Sequence, residues 1–534
     1  PGFVGLPVRY ECALEFPAWH YLQHASFLAA SLLFWYPVVR PYPAAPDWSL
    51  WLLFPYLLLA DVQTTVISAW IMWVPGSLAF LLPLFALGVK LLGKPSPQRP
   101  PRRLRIPSDR PQAMSASAVV NTSLPMVPLD ALQAEHAAAS RFGNPEPSRR
   151  WDLLRIPVLG RFLRWRYARP IMQAVLLLLA VVVIADGLTG PQAAPMNMAG
   201  VLPWIHWRGL LILGLLAVGN VFCFACPFTL PRRLARLWLQ GTQRLAWPKW
   251  LQNKWLVVVL LALFLWAYEA WSLWDRPAAT AWIAIGYFAA AFAVDGLFRG
   301  GTFCKYVCPI GHFNFVQSLA SPFGVQVRSP QACAACRTHD CIAGREQTPA
   351  CEMQLHIPRK SSNLDCTFCL DCVQACPHDN IGVLATSPLV TLSHDQPRSG
   401  VGRFSQRLDL AALVLLLTFG AFANAAGMVA PVVQTLQPYE AALGSHGRLM
   451  TTGIFYVLAL VVVPTALAFI VTLASKAWAH TTLPSRQLAG RFMVSLVPIG
   501  LGMWAAHYCF HFFTSYDTAI PAAQRFAAEW KLAD

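Results

Sequence analysis

CTFCLDCVQACP, residues 366–377, carries four cysteines spaced C-x2-C-x2-C-x3-C and followed by proline. Cys366, Cys369, Cys372 and Cys376 form the run whose thiolates ligate the irons of a [4Fe–4S] cluster. The tight spacing lets one loop wrap three corners of a cluster while the fourth ligand comes from elsewhere. Runs of this kind usually belong to small soluble electron carriers. This 534-residue chain, however, is 56 % hydrophobic, holds 21 Trp and has a mean hydropathy of +0.46. A redox motif of soluble type therefore sits within a membrane protein.

Uncharged runs of about 20 residues can cross roughly 30 Å of hydrocarbon as helices. Such runs stand at 18–37, 49–72, 74–93, 170–187, 208–229, 254–274, 279–297, 408–432, 450–474 and 491–514. Lys and Arg crowd into 94–169, 231–254 and 475–491, and the positive-inside rule makes these segments cytoplasmic. Counting crossings from them puts both termini outside and 298–407 inside. The expected fold is an all-α polytopic membrane protein of about ten transmembrane helices with a small cytoplasmic α+β ferredoxin-like two-cluster insert. The expected location is the bacterial inner membrane, with lipid as the surrounding partner. The net charge of +16 flanks spans, which argues against a nucleic-acid partner. The chain begins at Pro with no basic segment before an apolar core, so no signal peptide is visible and the true amino terminus is expected upstream.

Five segments follow: a transmembrane block at 1–93, a basic Pro/Arg-rich linker at 94–169, a transmembrane block at 170–297, the insert at 298–407 and carboxy-terminal helices at 408–534. The linker ends in WDLLRIPVLGRFLRWRYARP (151–170), whose mixture of Leu, Phe, Trp and Arg suits a helix lying along the inner leaflet. Met114 opens MSASAVVNTS, which reads equally as the start of a once separate protein or as an internal Met.

The insert holds ten of the fourteen cysteines, and Cys223 and Cys226 face the same compartment. Twelve thiols on the reducing side argue for metal binding over disulfides. Cys12 and Cys509 lie near the outer face, as packed thiols or as a disulfide. Upstream of the first motif, CAACRTHDCIAGREQTPAC supplies Cys333, Cys336, Cys341 and Cys351. In two-cluster ferredoxins the last Cys of a run serves the other cluster. That swap groups Cys333, Cys336, Cys341 and Cys376 for one cluster, and Cys351, Cys366, Cys369 and Cys372 for the second. Zinc, which also accepts four thiolates, is the competing reading. Two further pairs each precede a proline: Cys304 and Cys308 in FCKYVCPIGH, and Cys223 and Cys226 in FCFACPFTLPRR.

Paired Cys-Pro motifs at the inner ends of helices, followed by ferredoxin-type runs, resemble the NapH/NosR-type membrane-bound polyferredoxins over about 170–400. The copper-reductase proteins used in oxidase assembly are similar. The resemblance implies quinol-linked redox roles for Cys223, Cys226, Cys304 and Cys308, either as ligands of a third cluster or as a thiol pair. Here the first pair is spaced x2 where the family has x3. At the other end, YECALEFPAWHYLQHASFLAASLLFWYPVVRP (10–41) resembles part of the CtaG family of copper-handling oxidase assembly proteins over 8–93. That likeness implies His20 and His24 as copper ligands.

Ionisable groups inside spans are functional candidates by default. Asp61, Glu269 and Asp295 are the carboxylates there; Asp295 and Glu269 are the candidates for taking protons from a quinol, with an Asp295–Arg299 ion pair as the alternative. His20 with His24, and His507 with His511, are i, i+4 pairs able to hold copper or zinc, or to present one ligand to haem b iron. Packing and hydrogen bonding are the plainer reading of such pairs. His206 and His446 are expected in outer loops. No CxxCH motif occurs, which argues against covalent haem. Two functions follow. In the first, the protein exchanges electrons between the quinone pool and a partner redox subunit such as a cytochrome or oxidase complex, because about 30 Å of hydrocarbon needs a carrier within the membrane. In the second, it is a copper-reducing or copper-handling assembly factor for a haem–copper oxidase.

Overall fold

The computed structural model describes residues 150–531 apart from 232–234, 236–244, 346–347, 387, 389–391, 393–394, 396 and 480–482. The three expected amino-terminal spans, His20, His24, Asp61 and Cys12 lie outside the described residues.

In lipid every backbone polar group must be satisfied within the chain, so long apolar runs become helices. Among the described residues these are α1 (Ala168–Thr189), α2 (Met198–Ala217), α3 (Trp255–Ala270), α4 (Pro277–Leu297), α5 (Leu408–Ala426), α6 (Gly444–Ala477) and α7 (Ser485–Thr514). Six are long and apolar enough to cross a membrane; α3, at 16 residues, is shorter. The chain is thus a multi-pass helical membrane protein.

One expected span is displaced. The run 208–229 is not a single helix: α2 begins at Met198 and stops at Ala217, and Gly219 follows at φ +143°. His206, expected in a loop, lies inside α2 within the π-helical turn Leu202–Trp207, and its Nε2 is 2.9 Å from the Tyr516 carbonyl oxygen.

α1 packs on α4, α2 on α7, and α5 on both α3 and α7. The approach of α1 to α4 needs Gly187, where a Cβ would stand 2.8 Å from the Ala281 Cβ and 2.9 Å from the Pro277 carbonyl oxygen. The two ends of α1 are marked by different partners. At its start the Arg169 guanidinium reaches Asp371 at 3.1 Å and Glu352 at 3.6 Å, both in the insert. Near its end Asp186 accepts from the Met198 amide at 2.6 Å and pairs with Arg525 of a helix at Ala519–Glu529. These marks are separated by about 26 Å of helix. The insert and the carboxy-terminal helix, which the sequence reading did not anticipate, therefore lie at opposite ends of the bundle.

The insert contains a two-stranded antiparallel sheet, β1 (Phe323–Val327) against β2 (Ile381–Ala385), in register Phe323↔Ala385 to Val327↔Ile381. Asp152, ahead of α1, pairs with Arg328 at 2.8 Å and accepts the Val383 amide at 3.2 Å, fastening the sheet to the start of the membrane domain. One continuous apolar core runs from Ile212, Val257, Leu413 and Trp504 in the helices to Val325, Leu355 and Ile381 in the insert. The helix Pro157–Arg164 leaves Val158, Leu159 and Phe162 exposed beside Arg161 and Arg164, the composition of an interfacial helix.

Opposite placement of the insert and the carboxy-terminal helix is directly testable. A phosphatase reporter that is active only outside the cytoplasm should be active when fused after Lys531 and inactive when inserted at Ser399; equal activity at both positions would contradict the arrangement.

Candidate functional site

The twelve thiols of the insert and the adjoining bundle end fall into three groups of four. Cys333 and Cys336 leave the short helix Pro330–Ala334, Cys341 lies in the turn Asp340–Ala343, and Cys376 ends the helix Asp371–Ala375; all four line one cavity. Cys351, Cys366, Cys369 and Cys372 line a second, with Met353, Leu355 and Ile357 completing its apolar wall. Cys376 is thus separated from its own sequence run and joined to the upstream one. The loop 365–370 turns around the second cavity by taking left-handed backbone at Asp365 (φ +58°), Phe368 (φ +53°) and Leu370 (φ +61°). Such backbone costs energy in non-Gly residues and persists where surroundings dictate it.

The third group straddles the bundle end: Cys223 in Val221–Ala225, Cys226 just after it, and Cys304 and Cys308 around the π-helical turn Phe303–Val307. Burial, with the other thiols of the group nearby, pushes Cys226 and Cys308 well above the ordinary thiol value. Asp295 does not stand free: it is buried, and its Oδ1 accepts the Phe303 amide at 2.8 Å, holding the turn that carries Cys304.

Several donors aim at sulfur. The Gly311 amide is 3.2 Å from Cys308 Sγ, the Asn380 amide 3.3 Å from Cys376 Sγ, Asn380 Nδ2 3.3 Å from Cys333 Sγ, and Asn314 Nδ2 3.7 Å from Cys223 Sγ. Burial, with Cys376, Cys333 and Cys336 nearby, pushes the Cys341 thiol up to about 11. Burial, with Cys366 and Cys351, likewise raises Cys372 well above its ordinary value. Cys336, only partly buried, shifts the other way, its thiol held down by the His339 backbone.

A buried ion pair joins the second and third groups. Lys254 Nζ lies 2.8 Å from Asp365 Oδ1, with side chains 4 % and 2 % exposed, and it also donates to the Lys305 carbonyl at 2.9 Å. Burial alone would raise the Asp365 carboxyl, but the Lys254 and Lys305 ammonium groups hold it below its ordinary value. His312 is pushed down to about 3 by burial and by Lys254, so it is neutral, and its Nδ1 donates to the Cys308 carbonyl at 2.9 Å.

The remaining candidates lie elsewhere. Glu269 ends α3, some 15 residues from Lys254 and so about 22 Å along the helix from the cysteine groups. The His507 and His511 rings do meet, with centroids 4.9 Å apart. Beside them sits Arg208, which sequence reading missed: its guanidinium lies over Trp204, Tyr268 and Tyr508 at 4.5, 4.6 and 4.9 Å and donates to the Tyr268 hydroxyl at 3.0 Å. An arginine amid an apolar run was the only signal available for it.

Zinc bound tetrahedrally through bonds of about 2.3 Å draws its thiolates nearly into contact. Among the described residues no three or more His, Cys, Asp or Glu groups converge in that way. The thiols instead stand around open cavities, with donors directed at sulfur. Four thiols around one cavity are the donor set that a [4Fe–4S] cluster takes.

The fold and site define a multi-pass helical membrane protein with three four-cysteine groups at one end. Residues 2–94 match the family model described as cytochrome c oxidase caa3 assembly factor (Caa3_CtaG). An uncharacterized protein of Methanocaldococcus jannaschii is 30 % identical over 87 residues, which are 16 % of this chain and 32 % of that protein, so the chain spans about a third of the relative's length. No solved structure matches the chain.

Two outcomes follow. Cys376→Ser and Cys333→Ser should abolish the same paramagnetic signal and each cost about four irons per chain, while Cys366→Ser should abolish a different signal; Cys376→Ser silencing the Cys366 signal would refute the grouping. Lys254→Met, which strands Asp365 in the interior, should lower stability by about 3–5 kcal/mol, read as a fall in the unfolding midpoint in detergent.

Proposed function

We propose that this chain is an iron–sulfur electron-transfer protein of the membrane that serves the assembly of a haem–copper oxidase, providing the reducing side of copper handling. The observation that carries the reading is the combination, in one chain, of the assembly-factor match at 2–94 with three four-cysteine groups at one end of a helical bundle. The match favours this function over exchange with the quinone pool.

In this reading Cys333, Cys336, Cys341 and Cys376 hold one [4Fe–4S] cluster, Cys351, Cys366, Cys369 and Cys372 a second, and Cys223, Cys226, Cys304 and Cys308 a third. When bound, such clusters supply one-electron carriers. The chain's own residues do the remainder. Raised thiols at Cys341 and Cys372 mean that each site gives up protons on loading, so metal retention weakens as pH falls. Amide donors at Gly311 and Asn380 stabilise charge on sulfur and thereby set potentials. Apolar walls at the second site keep water from its thiolates. The basic character of 231–254 and 475–491 in the sequence supports a cytoplasmic location for the cysteine groups. Copper is cargo here, with His20 and His24 as its ligands, and an oxidase complex is the partner.

Iron and copper analysis combined with electron paramagnetic resonance on anaerobically purified protein tests the reading. The expected result is about eight to twelve irons per chain, stoichiometric Cu(II) that turns silent when a low-potential reductant is added, and copper lost from the His20→Ala/His24→Ala variant. Iron-loaded protein that never binds copper but whose centres are reduced by a quinol analogue would overturn it in favour of the quinone-linked function.

A further inference from the structure

Two of the cysteine groups meet at one buried amide. We infer that Asn220 is a positioning residue that couples the Cys223 group to the Cys366 group, an inference that rests on the proposal that both groups hold iron–sulfur clusters.

Asn220 has 0 % exposure and stands in GNVFC (219–223), where α2 has just ended. Its Oδ1 accepts the Cys223 amide at 3.4 Å and caps the short helix Val221–Ala225. Its Nδ2 donates to the carbonyl oxygen of Cys366, 146 positions further on, at 3.0 Å. One side chain thus links the backbone of a ligand at the membrane end to the backbone of a ligand in the insert through two hydrogen bonds. Gly219 makes the approach possible. At φ +143° it presents no side chain, and a Cβ there would stand 2.9 Å from the Phe368 ring of the same CTFC loop. The loop therefore seats directly on the end of α2. Asn314, also 0 % exposed, closes the far side by directing Nδ2 at Cys223 Sγ.

An ordinary helix cap needs only an acceptor, which Ser or Asp supplies as well as Asn does. The donor reaching Cys366 is what asparagine adds, and that difference separates a bridge from a cap. Full-length protein is purified anaerobically, reduced with dithionite and compared with Asn220→Asp and Asn220→Ser. Both variants keep the cap acceptor; Asp has no donor at neutral pH, and the Ser hydroxyl is too short to reach the carbonyl. The readouts are iron per chain and the magnetic interaction between reduced centres in paramagnetic resonance spectra.

The expected result is wild-type iron in both variants, interaction broadening in the wild type, and its loss in both variants with a shift in the midpoint potential of the Cys223 centre. Wild-type broadening in both variants would reduce Asn220 to a cap. A change in the Asp variant alone would trace to its new charge, and loss of iron from both would make Asn220 a folding residue; each overturns the bridge. Iron-free wild-type protein would instead overturn the proposed function itself, so the two failures are distinguishable.

Discussion

The Lys254–Asp365 ion pair is the contact on which the arrangement of the cysteine groups depends. Lys254 immediately precedes α3, and Asp365 immediately precedes Cys366, so one 2.8 Å contact ties a membrane helix to the cluster-type loop. The same residue's backbone amide donates to Asp409 at 2.8 Å, and Asp409 is gripped by Arg407 through contacts of 2.9 and 2.7 Å. α3, α5 and the 365–370 loop thus converge on one buried polar knot. A buried pair contributes little net stability, because desolvation offsets most of the attraction, yet removing one partner strands the other charge in the interior. Its worth lies in fixing where the loop sits, together with Phe368 and Leu370 of the same loop, which are buried in the core.

Lipid explains why the cysteine turns sit where they do. Irregular backbone is tolerated only where the protein itself satisfies it, so the segments bearing Cys223, Cys226, Cys304 and Cys308 lie at the bundle end and not within it. The Cys-Pro pairs acquire a local reason as well. Proline fits the first turn of a helix, where its missing N–H is not needed. At Cys308-Pro309 the thiol then caps the helix Pro309–Gln317 by accepting the Gly311 amide. A candidate ligand and a helix start are encoded in the same dipeptide, and the cap fixes where the sulfur stands.

Spacing made the grouping of the thiols legible: the crossed pairing expected from the pattern of two-cluster ferredoxins is the one in which they line the two cavities. Hydropathy found every described span but misplaced α2. The apolar run within 208–229 drew the window toward the carboxyl side, while the helix starts ten residues earlier, in a stretch that includes Pro203, Trp204 and His206 and reads as interfacial. Asp295 read as a proton acceptor because carboxylates in spans are rare; only coordinates reveal the Phe303 amide it holds. Asn220 and the Lys254–Asp365 pair were not readable at all, since their partners lie 146 and 111 positions away.

Charge separates the two histidine pairs as copper sites. His507 and His511 touch, but Tyr508 between them carries the Arg208 guanidinium on its ring at 4.9 Å, and that charge acts on both imidazoles. Among the described residues no carboxylate pairs with Arg208; aromatic faces and the Tyr268 hydroxyl are its partners. In a low-dielectric interior a second cation placed beside an arginine meets strong repulsion. A copper ion at His507 and His511 would have to overcome it without a compensating anion, whereas His20 and His24 lie within the segment that matches the assembly-factor family. The copper reading therefore rests on the amino-terminal pair, and the carboxy-terminal pair belongs with Arg208 to the polar packing of α2, α3 and α7.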